Sequence, residues 1–446
     1  SSSAASDVYK RQPVQTPKST AFPMANDFSK RPVVLPLNTP AGLRDAEGKP
    51  PHLAILGTRG IPAWHGGFET FAQELAPWLV QQGWRVDVYC QDETGDGASE
   101  WRGVRLIQLP VRRKGSLGSI EFDWISARHA VKAAPLVLTL GYNTALIGLL
   151  YRLGGVRNVI NMDGLEWKRT KWSWPVRQWF RLNERAAVML GNHLVADHPA
   201  IAKRLSGMTD PSRITMIPYG AESLPEADPA PLAAFGLEPE KFMLSIARVE
   251  RENQTLQIVR GFSARPRGVK LAVAGGLEPG NAYHDAVRAA ASPEVVFLGP
   301  VFQKEAVAAL RVHTLAHIHG HTVGGTNPSL VEALGAGCPV IAHRNVFNGW
   351  VAGEEQRFFS DVEELDHHIT ALIETPRMRA AMSAAARARH AERFTWEPVL
   401  RAYQAMLVQQ YPVPLLGAER ELSLPPMPDG ELALAGGPAL HARNAG

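Results

Sequence analysis

The sequence predicts an α/β protein with two Rossmann-like domains, each a doubly wound parallel sheet. Apolar runs of strand length alternate with segments of helical periodicity over residues 51–222 and again over 242–394. This alternation is typical of parallel sheets covered by helices on both faces. A segment at 223–241, rich in proline and acidic residues, predicts a linker between them. The length of 446 residues accommodates two such domains.

The first domain is predicted to begin with a strand over 52–57 and a helix over 68–83, in which Phe68, Phe71, Leu75 and Leu79 recur at helical spacing. Further strands are predicted at 85–90, 104–110, 136–140, 157–162, 194–196 and 214–217, with helices at 121–134 and 175–190.

In the second domain, strands are predicted at 242–247, 270–275, 295–299, 314–320 and 339–343, with helices at 255–262, from Lys304 and from Pro328. A helix over 395–411 follows, which we expect to pack back on the first domain. Residues 1–50 and 412–446 lack periodicity, and we expect both segments to be disordered.

The first residues have an unusual coding pattern. Residues 2–12 back-translate codon by codon into a string similar to a transposase-based sequencing-library adapter. We therefore expect residues 1–12 to be an assembly artefact, with the natural start at or near Met24. The alternative is a genuine disordered tail.

Composition excludes several classes of protein. A net charge of +4 is too small to indicate nucleic-acid binding. Cys90 and Cys338 form no CxxC pair, so we expect neither a disulfide framework nor a zinc site, and we expect a reducing cytoplasm. The longest apolar stretch, 135–150, contains Gly-Tyr-Asn-Thr in its middle, which favours a buried strand and helix over a membrane span.

Two glycine-containing loops precede predicted helices. In GTRGIPAWHGGFETF, Gly66 and Gly67 leave backbone N–H groups at a helix start accessible to an anion. The loop lacks the GxGxxG spacing of dinucleotide-binding dehydrogenases, and a tight turn alone would also require these glycines. In GGTNPSLVEALGAGCPVIA, Pro328 suits a first helical position, where free N–H groups would bind a pyrophosphate. Glu332, one turn later, is placed to accept hydrogen bonds from ribose hydroxyls.

This second motif resembles the donor-site helix of glycosyltransferase family 4. GTRGIPAWHGGFETF and NMDGLEWKRTKWS resemble the subgroup that includes bacterial capsule and lipopolysaccharide rhamnosyltransferases. The resemblance covers about residues 52–409. It implies the GT-B architecture, in which two Rossmann-like domains face a cleft, and sugar transfer with retention of anomeric configuration. It also implies no cofactor and no metal; a nucleotide sugar (dTDP-, UDP- or GDP-hexose) is the donor substrate.

The resemblance also implies roles for individual residues. Gly66 and Gly67 would lie beside the donor pyrophosphate, and Glu332 would hold the ribose. Arg248 would neutralise the phosphates, and Asp163 stands where many relatives place a histidine near the reacting sugar, so these two are the candidate catalytic residues. The other candidate donor-binding residues are Asn253, Gly325, Thr326, Asn327, Ser329 and Leu330.

The sequence departs from the family pattern at two charged positions. The usual lysine five residues after the arginine is Asn253, and Arg251 or Arg59 would replace its charge. The first glutamate of the E-x7-E motif is Gly324, which leaves contacts with the donor sugar to residues 325–327.

A segment following Asp163 interleaves basic and aromatic residues, which suits an anionic membrane that presents a lipid-linked acceptor. Alternatively, its tryptophans pack in the core, and Glu166 is a salt-bridge or helix-start residue. The candidate residues of this acceptor or membrane face are Glu166, Lys168, Arg169, Trp172 and Trp174.

His317, His319 and His321 alternate along one strand face, but no carboxylate stands at ligand spacing, so we expect packing histidines and no metal.

The sequence thus predicts a retaining hexosyltransferase, with rhamnosyl among the candidate groups. Its acceptor would be a growing surface polysaccharide, linked to a lipid or free, and it would be cytoplasmic, at the inner face of the plasma membrane. The alternatives are a nucleotide-sugar epimerase, for which no clear pair of acid and base carboxylates is evident, and a non-catalytic nucleotide-sugar-binding protein.

Overall fold

The computed structural model describes residues 43–416, apart from residues 46, 64–65, 93–98 and 114. The predictions for residues 1–42 and 417–446, including the adapter-like residues 1–12, lie outside the described residues.

The first lobe contains an eight-stranded sheet. Its strands are His52–Leu56 (β1), Arg85–Asp92 (β2), Glu100–Trp101 (β3), Val104–Pro110 (β4), Leu136–Leu140 (β5), Arg157–Asn161 (β6), His193–Ala196 (β7) and Ile214–Met216 (β8). The strand order is β3-β4-β2-β1-β5-β6-β7-β8, and every pair is parallel except β3 with β4. Its helices are Gly67–Gln81 (α1), Gly115–Ala133 (α2), Gly148–Leu153 (α3), Trp174–Leu190 (α4) and Pro199–Ser206 (α5).

The second lobe contains a six-stranded parallel sheet. Its strands are Phe242–Ile246 (β9), Lys270–Ala274 (β10), Val295–Gly299 (β11), His317–His319 (β12), Val340–His343 (β13) and Arg357–Phe359 (β14), in the order β11-β10-β9-β12-β13-β14. Its helices are Thr255–Ser263 (α6), Ala282–Ala289 (α7), Lys304–Val312 (α8), Pro328–Gly335 (α9), Val346–Ala352 (α10), Val362–Glu374 (α11) and Pro376–Arg393 (α12). The last helix is Trp396–Gln410 (α13). The predicted fold class, two doubly wound parallel sheets, is confirmed.

Both faces of the sheets are covered, as strand β1 illustrates. Leu53 and Ile55 belong to one hydrophobic cluster, while Ala54 and Leu56 belong to another. Successive side chains of a strand point to opposite faces, so a sheet covered on both sides needs a continuous apolar run. This requirement explains why HLAIL is apolar at every position after His52.

Helix α13 returns to the first lobe. Tyr403 and Met406 are buried in the same cluster as Phe71 and Leu75 of α1. The Asn161 side-chain amide at the end of β6 donates a hydrogen bond of 2.8 Å to the Tyr403 hydroxyl. The last helix thus fixes the end of a strand that leads directly into the candidate site.

The structure corrects two predicted boundaries. Leu43 and Leu415 are buried in the core of the first lobe, and Arg44 pairs through its backbone with Leu416, so the predicted disordered segments are wrong at these inner ends. The predicted linker contains a 3-10 helix at Ala230–Phe235, and Leu232 is buried against the second lobe. In both segments, apolar side chains are buried in a hydrophobic core although most of their neighbours in the chain are polar.

Within the described part of the chain, no helix combines the length and the apolar character needed to cross a membrane.

Candidate active site

The two helix starts predicted from the glycine-containing loops face each other. Gly66 precedes α1 with φ of 107°, a backbone conformation that favours glycine. A Cβ atom added to Gly67 would lie 3.0 Å from Cγ of Pro328, the first residue of α9. The two motifs therefore meet at the junction of the two lobes, at the carboxyl ends of the strands, where doubly wound folds bind ligands. We call this junction the cleft.

The start of α9 is capped by the protein itself. The Asn327 side-chain oxygen accepts a hydrogen bond of 3.1 Å from the Ser329 N–H, and the Thr326 N–H donates a bond of 2.9 Å to Asp197 Oδ2. Pro328 has no N–H group. An anion that binds at the start of α9 must therefore displace the Asn327 and Asp197 oxygens from the N–H groups that now donate to them.

Two candidate donor-binding residues are buried. Leu330 is completely buried in a hydrophobic cluster, and its N–H already donates to the Asn327 carbonyl. Asn253 is also buried, and its side-chain amide donates a bond of 2.7 Å to the carbonyl of Arg248. The structure thus corrects both assignments: Leu330 lies on the core face of α9, and Asn253 positions the backbone of Arg248.

The side chains of Arg248 and Glu332 are accessible to solvent. The Arg248 side chain is 70% exposed, and its Nη1 lies 3.6 Å from Glu250 Oε1. The Glu332 carboxylate is partly exposed and pairs with Arg311 of α8. Arg311 also donates a bond of 2.9 Å to the Ser329 carbonyl, so it holds Glu332 and the first turn of α9 together.

Asp163 lies at the end of β6 in an unusual backbone conformation. Its φ is 50°, in the left-handed region, and its N–H donates a bond of 3.0 Å to the Asn161 side chain. A Cβ on the next residue, Gly164, would lie 3.1 Å from Cα of Gly324. The loop that carries Asp163 therefore packs directly on the glycine loop of the second lobe.

A second carboxylate, Asp197, lies beside this loop and was missed from the sequence. It follows β7, the neighbour of β6, and a Cβ on Gly325 would overlap its carboxylate. Burial, together with the charge of Asp163, raises the pKa of Asp197 to about 7. The sequence feature that could have identified Asp197 is its position directly after a buried strand, which it shares with Asp163. The two form the acidic pair that was not evident in the sequence.

Three residues of the predicted acceptor or membrane face point inward instead. Arg169 Nε lies 2.6 Å from Glu166 Oε1, and Arg169 Nη1 lies 2.9 Å from Glu252 Oε1 of the second lobe. The Trp172 ring packs on Phe180, and its N–H donates to Glu166. Two carboxylates draw Arg169 into the junction of the lobes, so the membrane assignment is corrected for these three residues. Glu166 and Trp172 line the cavity of the first lobe that is described below, so a role for them at the acceptor stays a prediction.

The other two residues of that face, Lys168 and Trp174, are exposed, and Trp174 is 72% exposed.

These contacts belong to a group that we call the interlobe ion cluster. Its other contacts join Lys171 to Glu250 at 3.1 Å and to Glu252 at 4.0 Å. The residues of the cluster are Glu166, Arg169 and Lys171 of the first lobe with Arg248, Glu250 and Glu252 of the second lobe.

The first lobe also contains a cavity of about 580 Å³ at the carboxyl ends of β1, β5 and β6. Asp123 of α2 lines it and accepts a bond of 2.7 Å from the Thr144 hydroxyl. Burial raises the pKa of Asp123 to about 6. Asp123 was not predicted from the sequence, although Ala127 and Ala130 at helical spacing place it near a buried helix face.

The three alternating histidines pack against one another in the second lobe. The rings of His319 and His321 stack with centroids 4.4 Å apart, and the His317 ring lies 5.8 Å from that of His319. Burial lowers the pKa of all three, so they are neutral at physiological pH. No group of three or more potential metal ligands occurs among the described residues.

Comparisons with known proteins agree with this architecture. Residues 252–405 match a family model described as glycosyl transferase-like, and residues 51–222 match one described as a domain of unknown function (DUF1972). No curated protein sequence matches the chain significantly.

Several solved structures have the same fold. Sucrose-phosphate synthase from Thermosynechococcus elongatus is 18% identical with a TM-score of 0.68, over 80% of this chain and 98% of that chain. HepE from Anabaena, in complex with UDP-glucose, is 15% identical with a TM-score of 0.64, over 80% and 99%. WaaG, a glycosyltransferase involved in lipopolysaccharide biosynthesis, is 15% identical with a TM-score of 0.61, over 78% and 98%. The chain thus has the GT-B fold, and residues 252–405 form a glycosyl transferase-like domain.

Proposed function

We propose that the protein is a retaining glycosyltransferase of family 4 that transfers a hexosyl group from a nucleotide sugar to a glycan acceptor. The observation that carries this proposal is the contact between the starts of α1 and α9, with the exposed Arg248 two residues after Ile246, whose carbonyl accepts a bond of 3.2 Å from the Ser329 hydroxyl. Helix starts and an exposed guanidinium are suited to a diphosphate.

On the donor side, departure of the nucleoside diphosphate leaves negative charge on its phosphates. Arg248 and the N–H groups at the start of α9 stabilise this charge, most strongly in the transition state. The Glu332 carboxylate, oriented by Arg311, accepts hydrogen bonds from the ribose hydroxyls. Because these groups supply the positive potential, we expect transfer to proceed without a divalent cation.

Asp163 acts on the sugar side of the donor. Its loop packs on the Gly324 loop, which supports a position for its carboxylate near the hexose under this proposal. There it orients the acceptor hydroxyl or stabilises the oxocarbenium-like sugar in the transition state. The donor is a dTDP-, UDP- or GDP-hexose. The UDP-glucose complex of the similar HepE structure supports this class, and rhamnose is the specific candidate from the sequence motifs.

The acceptor is a growing surface polysaccharide linked to a lipid. The cavity beside Asp123 offers a carboxylate to sugar hydroxyls, and Ile120 and Trp179 line it while remaining 39% exposed. Trp174 and the exposed Arg181 lie on the same helix, α4, as Trp179. Aromatic and basic side chains together suit the interface of an anionic membrane, which supports attachment at the inner face of the plasma membrane.

The test is a screen of dTDP-, UDP- and GDP-hexoses against lipid-linked glycan acceptors, with and without a chelator. We expect acceptor-dependent release of one nucleoside diphosphate that EDTA leaves unchanged, and a product with the donor's anomeric configuration by NMR. Inversion of configuration, or loss of activity with EDTA, would contradict the mechanism. Binding of the donor without turnover over the acceptor range would favour a non-catalytic binding protein.

The pair of Asp163 and Asp197 favours one second candidate, a nucleotide-sugar epimerase. The pKa of Asp197 is raised to about 7, which would let its carboxyl act as an acid, and Asp163 supplies a second carboxylate beside it. Incubation of a nucleotide sugar without acceptor in deuterated water distinguishes the two. An epimerase would incorporate deuterium at a sugar carbon, whereas a glycosyltransferase would not.

A further inference from the structure

The interlobe ion cluster contains one carboxylate that two cations from opposite lobes share. Lys171 Nζ lies 3.1 Å from Glu250 Oε2, and Arg248 Nη1 lies 3.6 Å from Glu250 Oε1. Arg169, by contrast, pairs with Glu166 and with Glu252. Lys171 and Arg248 therefore converge on the Glu250 carboxylate, whereas Arg169 binds Glu166 and Glu252, the second of which lies farther from Lys171, at 4.0 Å.

This shared carboxylate is suited to exchange with a ligand. The Arg248 side chain is 70% exposed, and an exposed ion pair at such a distance is weak. A diphosphate carries more negative charge than one carboxylate and presents several acceptor oxygens. It can therefore satisfy an ammonium and a guanidinium at the same time, with stronger charge-assisted hydrogen bonds.

The loop that carries Glu250 is fixed against the loop that leads into α9. The Glu252 carbonyl accepts bonds of 2.9 Å and 3.0 Å from the N–H and the hydroxyl of Thr322. The Asn253 side chain holds the Arg248 carbonyl at 2.7 Å. The shared carboxylate thus belongs to the same wall of the cleft as the start of α9.

We propose that Lys171 is a diphosphate-binding residue: when a diphosphate enters the cleft, Lys171 and Arg248 leave Glu250 and bind the phosphate oxygens. The inference rests on the proposed function for the nature of the ligand. Lys171 supplies one cation from the first lobe, and Arg248 supplies another from the second. Because the two cations come from different lobes, diphosphate binding holds the lobes together.

The test compares UDP binding by calorimetry in the full chain and its variants. We expect Lys171→Met to weaken UDP binding about 10- to 100-fold, through the loss of a charge-assisted hydrogen bond. We expect Glu250→Gln to strengthen binding several-fold because it removes the competing carboxylate. The matched control is Lys203→Met, which removes an exposed lysine of α5 and is expected to leave affinity unchanged.

Lys171→Met and Glu250→Gln both remove the ion pair between these residues. The direction in which each variant changes the UDP affinity therefore decides the role of Lys171. A purely structural bridge would make both variants weaken binding, and this result, or an unchanged affinity in Lys171→Met, would overturn the inference. Thermal melting checks that each variant folds, and Lys171→Arg is expected to restore most of the affinity.

Titration with inorganic pyrophosphate separates this inference from the proposed function. One outcome is that pyrophosphate binds, that Lys171→Met lowers the pyrophosphate affinity, and that no nucleotide binds. In that case the anion site stands and the proposed function fails. If UDP binds equally well to wild type and Lys171→Met, the proposed function stands and the role of Lys171 fails. If the wild type binds neither UDP nor pyrophosphate, both are overturned.

Discussion

The two lobes build the cleft in different ways. In the second lobe, the residues at the start of α9 follow one another along the chain: Asn327 caps α9 and Glu332 lies one turn into it. In the first lobe, Asp123, Asp163 and Asp197 come from a helix and from the ends of two strands. A contiguous group keeps its geometry through one helix start, whereas scattered side chains meet only after the sheet has formed. Under the proposed function, the start of α9 would bind the diphosphate that every nucleotide-sugar donor contains, and the first-lobe carboxylates would contact the groups that differ between substrates.

The largest expected effect tests the second lobe. We expect Arg248→Ala to lower kcat/KM about 100- to 1,000-fold, because one preorganised group that stabilises departing charge contributes about 3–4 kcal/mol. The measurement is release of nucleoside diphosphate with donor and acceptor. The control is Arg260→Ala, which removes an exposed arginine of α6. Equal activity in both variants would remove Arg248 from the site.

Trp172 and Trp174 test which aromatic side chains of the first lobe pack in its core and which are exposed at its surface. We expect Trp172→Ala to lower the free energy of unfolding by about 2–4 kcal/mol, because this ring packs on Phe180. Trp174 is 72% exposed, so Trp174→Ala is expected to leave stability unchanged and to weaken binding to anionic phospholipid vesicles. Denaturant unfolding and vesicle sedimentation measure the two effects. Equal vesicle binding by wild type and Trp174→Ala would contradict a membrane-facing α4.

Acidification is expected to destabilise the protein through buried histidines. Burial lowers the pKa of His198, the N-cap of α5, to about 3, and its Nδ1 accepts the Ala200 N–H. The unfolded chain binds a proton near pH 6.5, so the stability contributed by the neutral ring is complete above that pH. It is lost as pH falls toward 3, at about 1.4 kcal/mol per pH unit.

The variant His198→Asn keeps a capping acceptor but does not titrate. We expect the difference in unfolding free energy between wild type and this variant to shrink between pH 7 and pH 5, measured by urea denaturation. A difference that is independent of pH would show that His198 is not a source of acid sensitivity.

The smallest expected effect concerns the contact between Asp197 and Thr326. The variant Asp197→Asn keeps an acceptor for the Thr326 N–H but removes a negative charge beside the glycine loop. We expect UDP to bind about threefold to tenfold more tightly to the variant at pH 8, since one like-charge contact is worth roughly 1 kcal/mol at such a site.

The pH dependence provides the control for this prediction. The pKa of Asp197 is raised to about 7, so wild type is mostly neutral at this position at pH 6, and the two affinities should converge there. A difference that persists at pH 6 would mean that the contact acts through geometry instead of charge.

Much of the fold could be predicted because its signals are local. Strands β4, β5 and β11 occupy the predicted ranges, since each is a short apolar run bounded by turn residues. Helix α2 begins at Gly115, earlier than the predicted residue 121, because its first turns expose Leu117 and Ile120 and so lack a clear apolar face.

Individual site residues could be predicted less well than the elements that carry them. Arg248 and Glu332 are exposed or partly exposed, and their roles stay predictions, but Leu330 and Asn253 were assigned to the donor and are buried. Spacing along a helix or turn places a residue near a site, but only the packing of neighbouring elements decides which side chain faces the ligand. The same reason explains Arg169, whose partner Glu252 is 83 residues away.

The sequence by itself determined the two parallel sheets and the start of α9, because apolar periodicity and the Asn327-Pro328 cap act between near neighbours in the chain. The tertiary structure alone decided which polar and charged groups of the two lobes contact each other. Asp197 binds Thr326 over a separation of 129 residues, and Lys171 shares Glu250 with Arg248 over 79 residues. Such pairs depend on strand order and on the docking of the two lobes, which local spacing does not encode.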